Sequence, residues 1–242
     1  MFKWAEDRGD IPRSPLEGMT APGGVASRDR VLSDLELRAI WKASESLGYP
    51  FGPIIRLLIA TGQRREEVAA LRWEEIDRKQ AVWTLPAVRA KNGIAHVVPL
   101  STLTMYLINE LAIEAASVEC GPLQSWPPAG YLFTTTGTTA VSGHSKAKSR
   151  LDLLLSQQAV SSDGVADAYQ VITSAWRVHD IRRSFATGMQ RLGVRFEVTE
   201  AVLNHVSGSK SGVAGIYQRH DWKDEKREAL ELWSEHLRSL HL

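Results

Sequence analysis

Apolar and polar positions alternate along the chain at a helical period over most of its length. Residues 1–30 carry no sustained apolar period, and Pro12, Pro15, Pro22, Gly23 and Gly24 break any long helix there. Regular structure is expected from Ser33-Asp34-Leu35-Glu36, a capping box in which Ser33 and Glu36 satisfy each other's free amides. Leu35, Ile40, Ala43 and Leu47 then supply an apolar face, and Gly48 ends the helix. A second helix is predicted from about Gly52 to Ala60, stopping at Thr61-Gly62, and a third from Arg64, carrying Val68, Ala69 and Leu71.

The period then changes. Ala81–Leu85 and Ala95–Pro99 read as strands joined around Lys91-Asn92-Gly93, where Asn-Gly is a strong turn signal. A helix from about Thr102 to Val118 follows, then a proline-containing loop, Gly121–Gly130, and a short strand at Tyr131-Leu132-Phe133. The remainder reads as helices over about 144–158, 179–192, 195–204, 211–219 and 223–240, with a surface loop at Ser161–Gly164. The fold class is therefore mainly α with a small antiparallel β-sheet (α+β).

Composition narrows the possibilities without choosing among them. The chain has 242 residues, 43% of them hydrophobic, enough for a sizeable core. Its longest apolar stretch, around Ile54–Ala60, is interrupted by Arg56 and too short to span a membrane. Met1–Asp10 is charged where a secretory signal would be apolar. A single cysteine, Cys120, excludes an internal disulfide and fits a reducing cytoplasm. Net charge is +1, from 29 Lys+Arg against 28 Asp+Glu, weak support for a nucleic-acid binder. The distribution matters more: Arg64, Arg65, Lys91, Arg182 and Arg183 lie in or beside four patches that could carry chemistry, while acids gather at 66–75 and 221–235.

The patches are Thr61–Trp73; Lys91 with His96 and Val98-Pro99-Leu100; His179–Thr187; and Leu203-Asn204-His205 leading to Gly215-Ile216-Tyr217. Each alone has an ordinary explanation, such as a solvated helix start, a soluble turn lysine, a surface pair one helical turn apart or a core histidine. Together they resemble the tyrosine recombinase (phage integrase) family. Its signature is an Arg in a Thr-Gly-x-Arg-x-x-Glu stretch, a Lys on a β-turn, a His-x-x-Arg helix, a Leu-Gly-His-like turn and a Tyr soon after. Here these are Arg64 with Glu67, Lys91, His179 with Arg182, His205 and Tyr217, in that order, over roughly residues 30–240. Two departures stand out. Asn204 replaces the usual Gly before the second His, which is tolerable where the backbone angle suits Asn, and the stretch between His205 and Tyr217 is longer than usual, as in prophage-type integrases.

The resemblance implies a catalytic domain of the tyrosine recombinase and type IB topoisomerase kind that cuts and rejoins DNA through a 3′-phosphotyrosine. Tyr217 would be the nucleophile, Arg64, Arg182 and His205 would bind the non-bridging oxygens, Lys91 would protonate the leaving 5′ oxygen, and His179 would accept the phenol proton. Glu67 would brace Arg64. His96, beside Lys91, and Arg183 are weaker candidates for DNA contacts. No metal or other cofactor is expected, and His179, His205 and His220 lack zinc-ligand spacing. The expected partner is a double-stranded attachment site, bound by a homotetramer of a chain that is monomeric alone. Residues 1–30 are expected to be a linker and remnant of an N-terminal core-binding domain and residues 31–242 the catalytic domain of a bacterial or phage-encoded cytoplasmic protein. A fragment of this kind is expected to bind DNA weakly and to recombine poorly alone. Two alternatives remain: type IB topoisomerase-like relaxation, and a DNA-binding regulator without activity.

Overall fold

The computed structural model describes residues 1–19, 29–118, 126–160, 175–205 and 221–242. Helix α1 (Phe2–Asp7) is a short turn of chain with no buried residue. The domain proper begins at Leu32, whose amide donates to Ser184 Oγ at 2.6 Å and ties the entry of the chain to a helix 152 residues later. Helix α2 (Asp34–Leu47) starts at the expected capping box: Glu36 N donates to Ser33 Oγ at 3.2 Å, and Ser33 N donates to Glu36 Oε2 at 2.8 Å. Its buried stripe is Leu37, Ile40, Trp41 and Ser44 rather than one through Leu35, which is 51% exposed. At about 3.6 residues per turn, Leu35 lies on the opposite side of the helix from Leu37.

Helix α3 (Phe51–Thr61) is the hub, buried at nine of its eleven positions. It packs on α2, on α4 (Arg65–Ala69), on α5 (Thr102–Val118), on α7 (Val178–Arg191) and on α9 (Lys223–Ser239). Burying side chains such as Ile54, Leu58 and Ile59 stabilises the fold by about 1.5–3 kcal/mol each. Gly52 makes the α2–α3 approach possible, since a Cβ there would lie 2.2 Å from the Ser44 oxygen. Trp233 of α9 donates from Nε1 to the Ile59 oxygen at 2.8 Å, satisfying a carbonyl that the end of α3 leaves free.

The small sheet is β1 (Ile76–Asp77), β2 (Val82–Leu85) and β3 (His96–Pro99), antiparallel and in that order, with Val82 opposite Pro99 and Leu85 opposite His96. Lys91-Asn92-Gly93 does turn, with Gly93 at φ 69°, but it lies within a longer link from Pro86 to Ala95 instead of closing a tight hairpin. Tyr131–Phe133 is not a strand: Tyr131 makes a single bridge to Arg72, flanked by the Trp73 amide on the Gly130 oxygen and the Leu132 amide on the Leu71 oxygen, each at 2.9 Å. Helix α6 (His144–Val160) packs on α2, and α8 (Phe196–Leu203) packs on α7 and α9. The expected helix at 211–219, the loop at 161–164, His220 and Cys120 fall outside the described residues. Among those described, no helix is long and apolar enough to cross a membrane.

Candidate active site

The start of α4, the start of α7 and the end of α8 meet at one point, and main-chain oxygens hold them there. Helix α3 ends at Gly62 in the left-handed conformation (φ 64°), with its amide on the Leu58 oxygen at 2.9 Å. The chain then turns through Gln63, whose amide nitrogen reaches the Thr61 oxygen at 3.1 Å and the Val202 oxygen at 2.9 Å. Arg64 follows as the residue capping α4. Its Nη1 donates to Glu67 Oε1 at 3.1 Å, and its Nη2 donates to the Asn204 oxygen at 3.2 Å.

Arg182 is 4% exposed. It donates from Nη1 to the Gly62 oxygen at 2.9 Å and from Nη2 to the Leu203 oxygen. Burial, and then the nearby charge of Arg64, push its pKa down to about 10, against the pull of Glu67 and Glu200, so it stays charged at neutral pH. Two guanidiniums in mutual repulsion are a poor arrangement for stability alone. They suit an anion that both can grip, since each offers a planar fork of donors.

Arg64, Arg182, Lys91 and His179 line one open cleft of about 880 Å³. His179, at the start of α7, is held below the ordinary histidine value by desolvation and by the charges of Arg182 and Arg183, so its neutral form is favoured. His205 follows α8, its Nδ1 donating to Glu200 Oε1 at 2.9 Å, which leaves Nε2 as the ring atom free to meet a ligand. The bend before it is made by Asn204, which adopts the left-handed conformation at φ 49°, ψ 43°, the geometry that lets Asn stand in place of Gly.

Other candidates sit elsewhere. His96 is buried, and its Nε2 donates to the Val202 oxygen at 3.0 Å. Desolvation and the charge of Lys226 push its pKa down to about 3, and it does not line the cleft. Arg183 does not line the cleft. Tyr217 lies outside the described residues. Among the described residues, no group of three His, Cys, Asp or Glu is placed to hold a metal ion.

Basic residues that the sequence did not single out also line the cleft, Arg89, Arg177 and Lys148, together with His144, whose neutral form desolvation and the charge of Arg65 favour. Arg89 pairs with Glu75 and donates to the Glu67 oxygen at 3.1 Å, bracing the segment before Lys91 against α4. Lys148 sits 4.0 Å above the Trp176 ring and 2.6 Å from Asp152, whose other contact is Trp176 Nε1 at 3.1 Å. His144 and Lys148 are spaced one helical turn apart on α6, the signal in the sequence that could have drawn attention to them.

This fold recurs in solved recombinases. An integrase from mycobacterium phage Brujita superposes with a TM-score of 0.52 at 16% identity, covering 99% of this chain and 72% of that one. The XerA recombinase gives 0.53 at 18% identity, covering 97% and 72%. A lambda integrase dimer bound to a COC′ core site gives 0.55 at 16%, covering 85% and 68%. The architecture is that of a tyrosine recombinase catalytic domain. The chain belongs to the phage integrase family, whose model matches residues 30–223. Prophage integrase IntZ of Escherichia coli K12 is 27% identical over 208 residues, covering 85% of this chain and 44% of that protein. Prophage integrase IntF of the same strain is 30% identical over 105 residues, covering 43% and 22%, and an Escherichia coli shufflon-specific DNA recombinase is 34% identical over 93 residues, covering 38% and 24%. The chain spans less than half the length of each of these curated relatives.

Proposed function

We propose that this chain carries the catalytic centre of a site-specific DNA recombinase, with residues 31–242 as the catalytic domain and Tyr217 as nucleophile. The observation that carries the reading is the convergence of Arg64 and Arg182, from separate elements, on a cleft shared with Lys91 and His179. In the proposed reaction the Tyr217 oxygen attacks the scissile phosphorus, the bond to the 5′ oxygen breaks, and a 3′-phosphotyrosine stores the bond until a second 5′ hydroxyl reverses the step. His179 takes the phenol proton and Lys91 gives one to the leaving oxygen. Arg64, Arg182 and His205 Nε2 grip the non-bridging oxygens, where each aimed donor is worth about 3–4 kcal/mol in the transition state.

Under this reading the positive charge comes from side chains and the energy from the retained ester, so neither metal nor ATP is required. The substrate is a duplex attachment site, with the tetramer as the working assembly. Lambda integrase, a structural neighbour, has been solved as a tetramer bound to a Holliday junction.

A nicked suicide substrate tests the reading. Wild-type chain should yield a protein–DNA adduct that survives denaturation, and Tyr217→Phe should yield none. An adduct that persists in Tyr217→Phe, or no adduct with any DNA, would overturn it. Relaxation of supercoiled plasmid without a preferred site would favour the topoisomerase-like alternative.

A further inference from the structure

Asn204 touches three parts of the site at once. Its main-chain oxygen receives Arg64 Nη2 at 3.2 Å, and its left-handed backbone turns the chain into His205. Its side chain, 7% exposed for the residue as a whole, forms an amide pair with Asn92, the neighbour of Lys91. Asn92 Nδ2 donates to Asn204 Oδ1 at 3.0 Å, and Asn204 Nδ2 returns a longer bond to Asn92 Oδ1 at 3.4 Å. The same Asn92 oxygen receives the Ile94 amide at 3.2 Å, so the pair also shapes the turn on which Lys91 rides.

A glycine at 204 would make the left-handed bend more readily than any other residue. Asparagine adopts it at some strain and adds one thing glycine lacks, the side-chain amide. That amide is spent on a segment 112 residues away whose one cleft-lining cation at the turn is Lys91. The base of the link is separately fixed, through Arg89 on Glu75 and the Glu67 oxygen. The amide pair fixes its tip.

We propose that Asn204 is a positioning residue that, through its amide pair with Asn92, sets the reach of Lys91 into the cleft and so the efficiency of leaving-group protonation. The inference rests on the recombinase reading and on Lys91 as the proton donor to the 5′ oxygen. It ties the lysine to the same residue that holds Arg64 and orients the chain before His205, so that the donors to the non-bridging oxygens and the acid are registered on one backbone unit.

The test compares adduct formation by wild type, Asn204→Gly, Asn92→Ala and Lys91→Ala on two suicide substrates. One carries the natural 5′ oxygen at the scissile phosphate, the other a bridging 5′ sulfur, which leaves as a thiolate without needing a proton. Asn204→Gly keeps the backbone bend, and Asn92→Ala breaks the pair without touching Asn204. Both should slow cleavage of the oxygen substrate by about 10-fold, the size expected for one or two neutral hydrogen bonds. Both should leave the sulfur substrate within about 2-fold of wild type, and Lys91→Ala should show the same split more strongly. Equal losses on both substrates, or no loss on either, would overturn the proposal while leaving the nucleophile assignment standing. No split for Lys91→Ala would overturn it by removing the acid. Failure of wild type to form an adduct on either substrate would overturn the recombinase reading and this proposal with it.

Discussion

Arg182 Nη1 donates to the Gly62 oxygen at 2.9 Å, across 120 residues of sequence. The glycine that ends the hub helix α3 thereby orients a guanidinium of the cleft. Its conformation is constrained twice, by a positive φ of 64° and by the Phe185 ring, whose atoms would lie 2.4 Å from an added Cβ.

Gly62→Ala should therefore destabilise the fold by about 2–5 kcal/mol, combining left-handed strain with overpacking against a rigid ring. The midpoint of urea unfolding measures it. A change within about 0.5 kcal/mol, the range of an ordinary surface substitution, would show that the bend and ring adjust freely.

Arg182→Lys should keep the charge and lose the fork. A lysine ammonium cannot hold the Gly62 and Leu203 oxygens and still present a planar edge to phosphate. Cleavage should fall by about 10²–10³-fold, the loss typical of one aimed transition-state donor. Non-covalent DNA affinity at fixed salt should change far less. A variant as fast as wild type would mean that position 182 supplies charge only.

Much of this arrangement is readable from local pattern. Ser33 and Glu36 announce the start of α2, Gly48 its end, and Thr61-Gly62 the stop of α3, because capping chemistry is contained within a few residues. Leu35 misled because apolarity alone does not choose a face; Leu37, two residues on, set the stripe. Strand β1 went unseen because two residues carry no period. What the sequence could not display is the scaffolding of the site. Arg64 and Arg182 are held by the carbonyls of Gly62, Leu203 and Asn204, and a carbonyl has no residue-specific signature. The Asn92–Asn204 pair and the Arg89–Glu75 brace are likewise tertiary facts. His96 is a tertiary fact of the same kind: it follows Lys91 closely in sequence, but strand alternation turns its ring inward to the Val202 oxygen.

His205 should depend on Glu200 for orientation. The 2.9 Å contact at Nδ1 fixes which ring nitrogen remains for a phosphate. Glu200→Gln keeps an acceptor at that place and should stay close to wild type in cleavage. Glu200→Ala should lose about 10- to 100-fold, as expected for a hydrogen bond to a charged group. Equal behaviour of the two variants would break the link between orientation and rate.

His179 should set the acid limb of the cleavage rate. Desolvation and the charges of Arg182 and Arg183 hold its pKa below the ordinary 6.5. A base must be neutral, so its activity is complete above that pKa and is lost as pH falls through it. The acid limb of the rate should therefore be centred below pH 6.5, whereas His179→Gln should be slower and show no such limb. A wild-type limb centred above pH 6.5 would assign the titration to another group.

His96 should make the fold acid-sensitive. Its folded pKa is pushed down to about 3 from 6.5, so the unfolded chain takes up a proton that the folded chain refuses. The stabilisation is present above pH 6.5 and is lost as pH falls from there towards 3, by about 1.4 kcal/mol per unit. Carboxylates titrate little above pH 5 and the other histidines contribute alike to both proteins, so the difference between wild type and His96→Gln between pH 6.5 and pH 5 isolates His96. Urea midpoints across that window should drop for wild type and change much less for His96→Gln, whose amide can still donate to the Val202 oxygen without titrating. Parallel slopes for the two proteins would mean that His96 takes its proton in place, with Lys226 and the Val202 carbonyl moving to accommodate it.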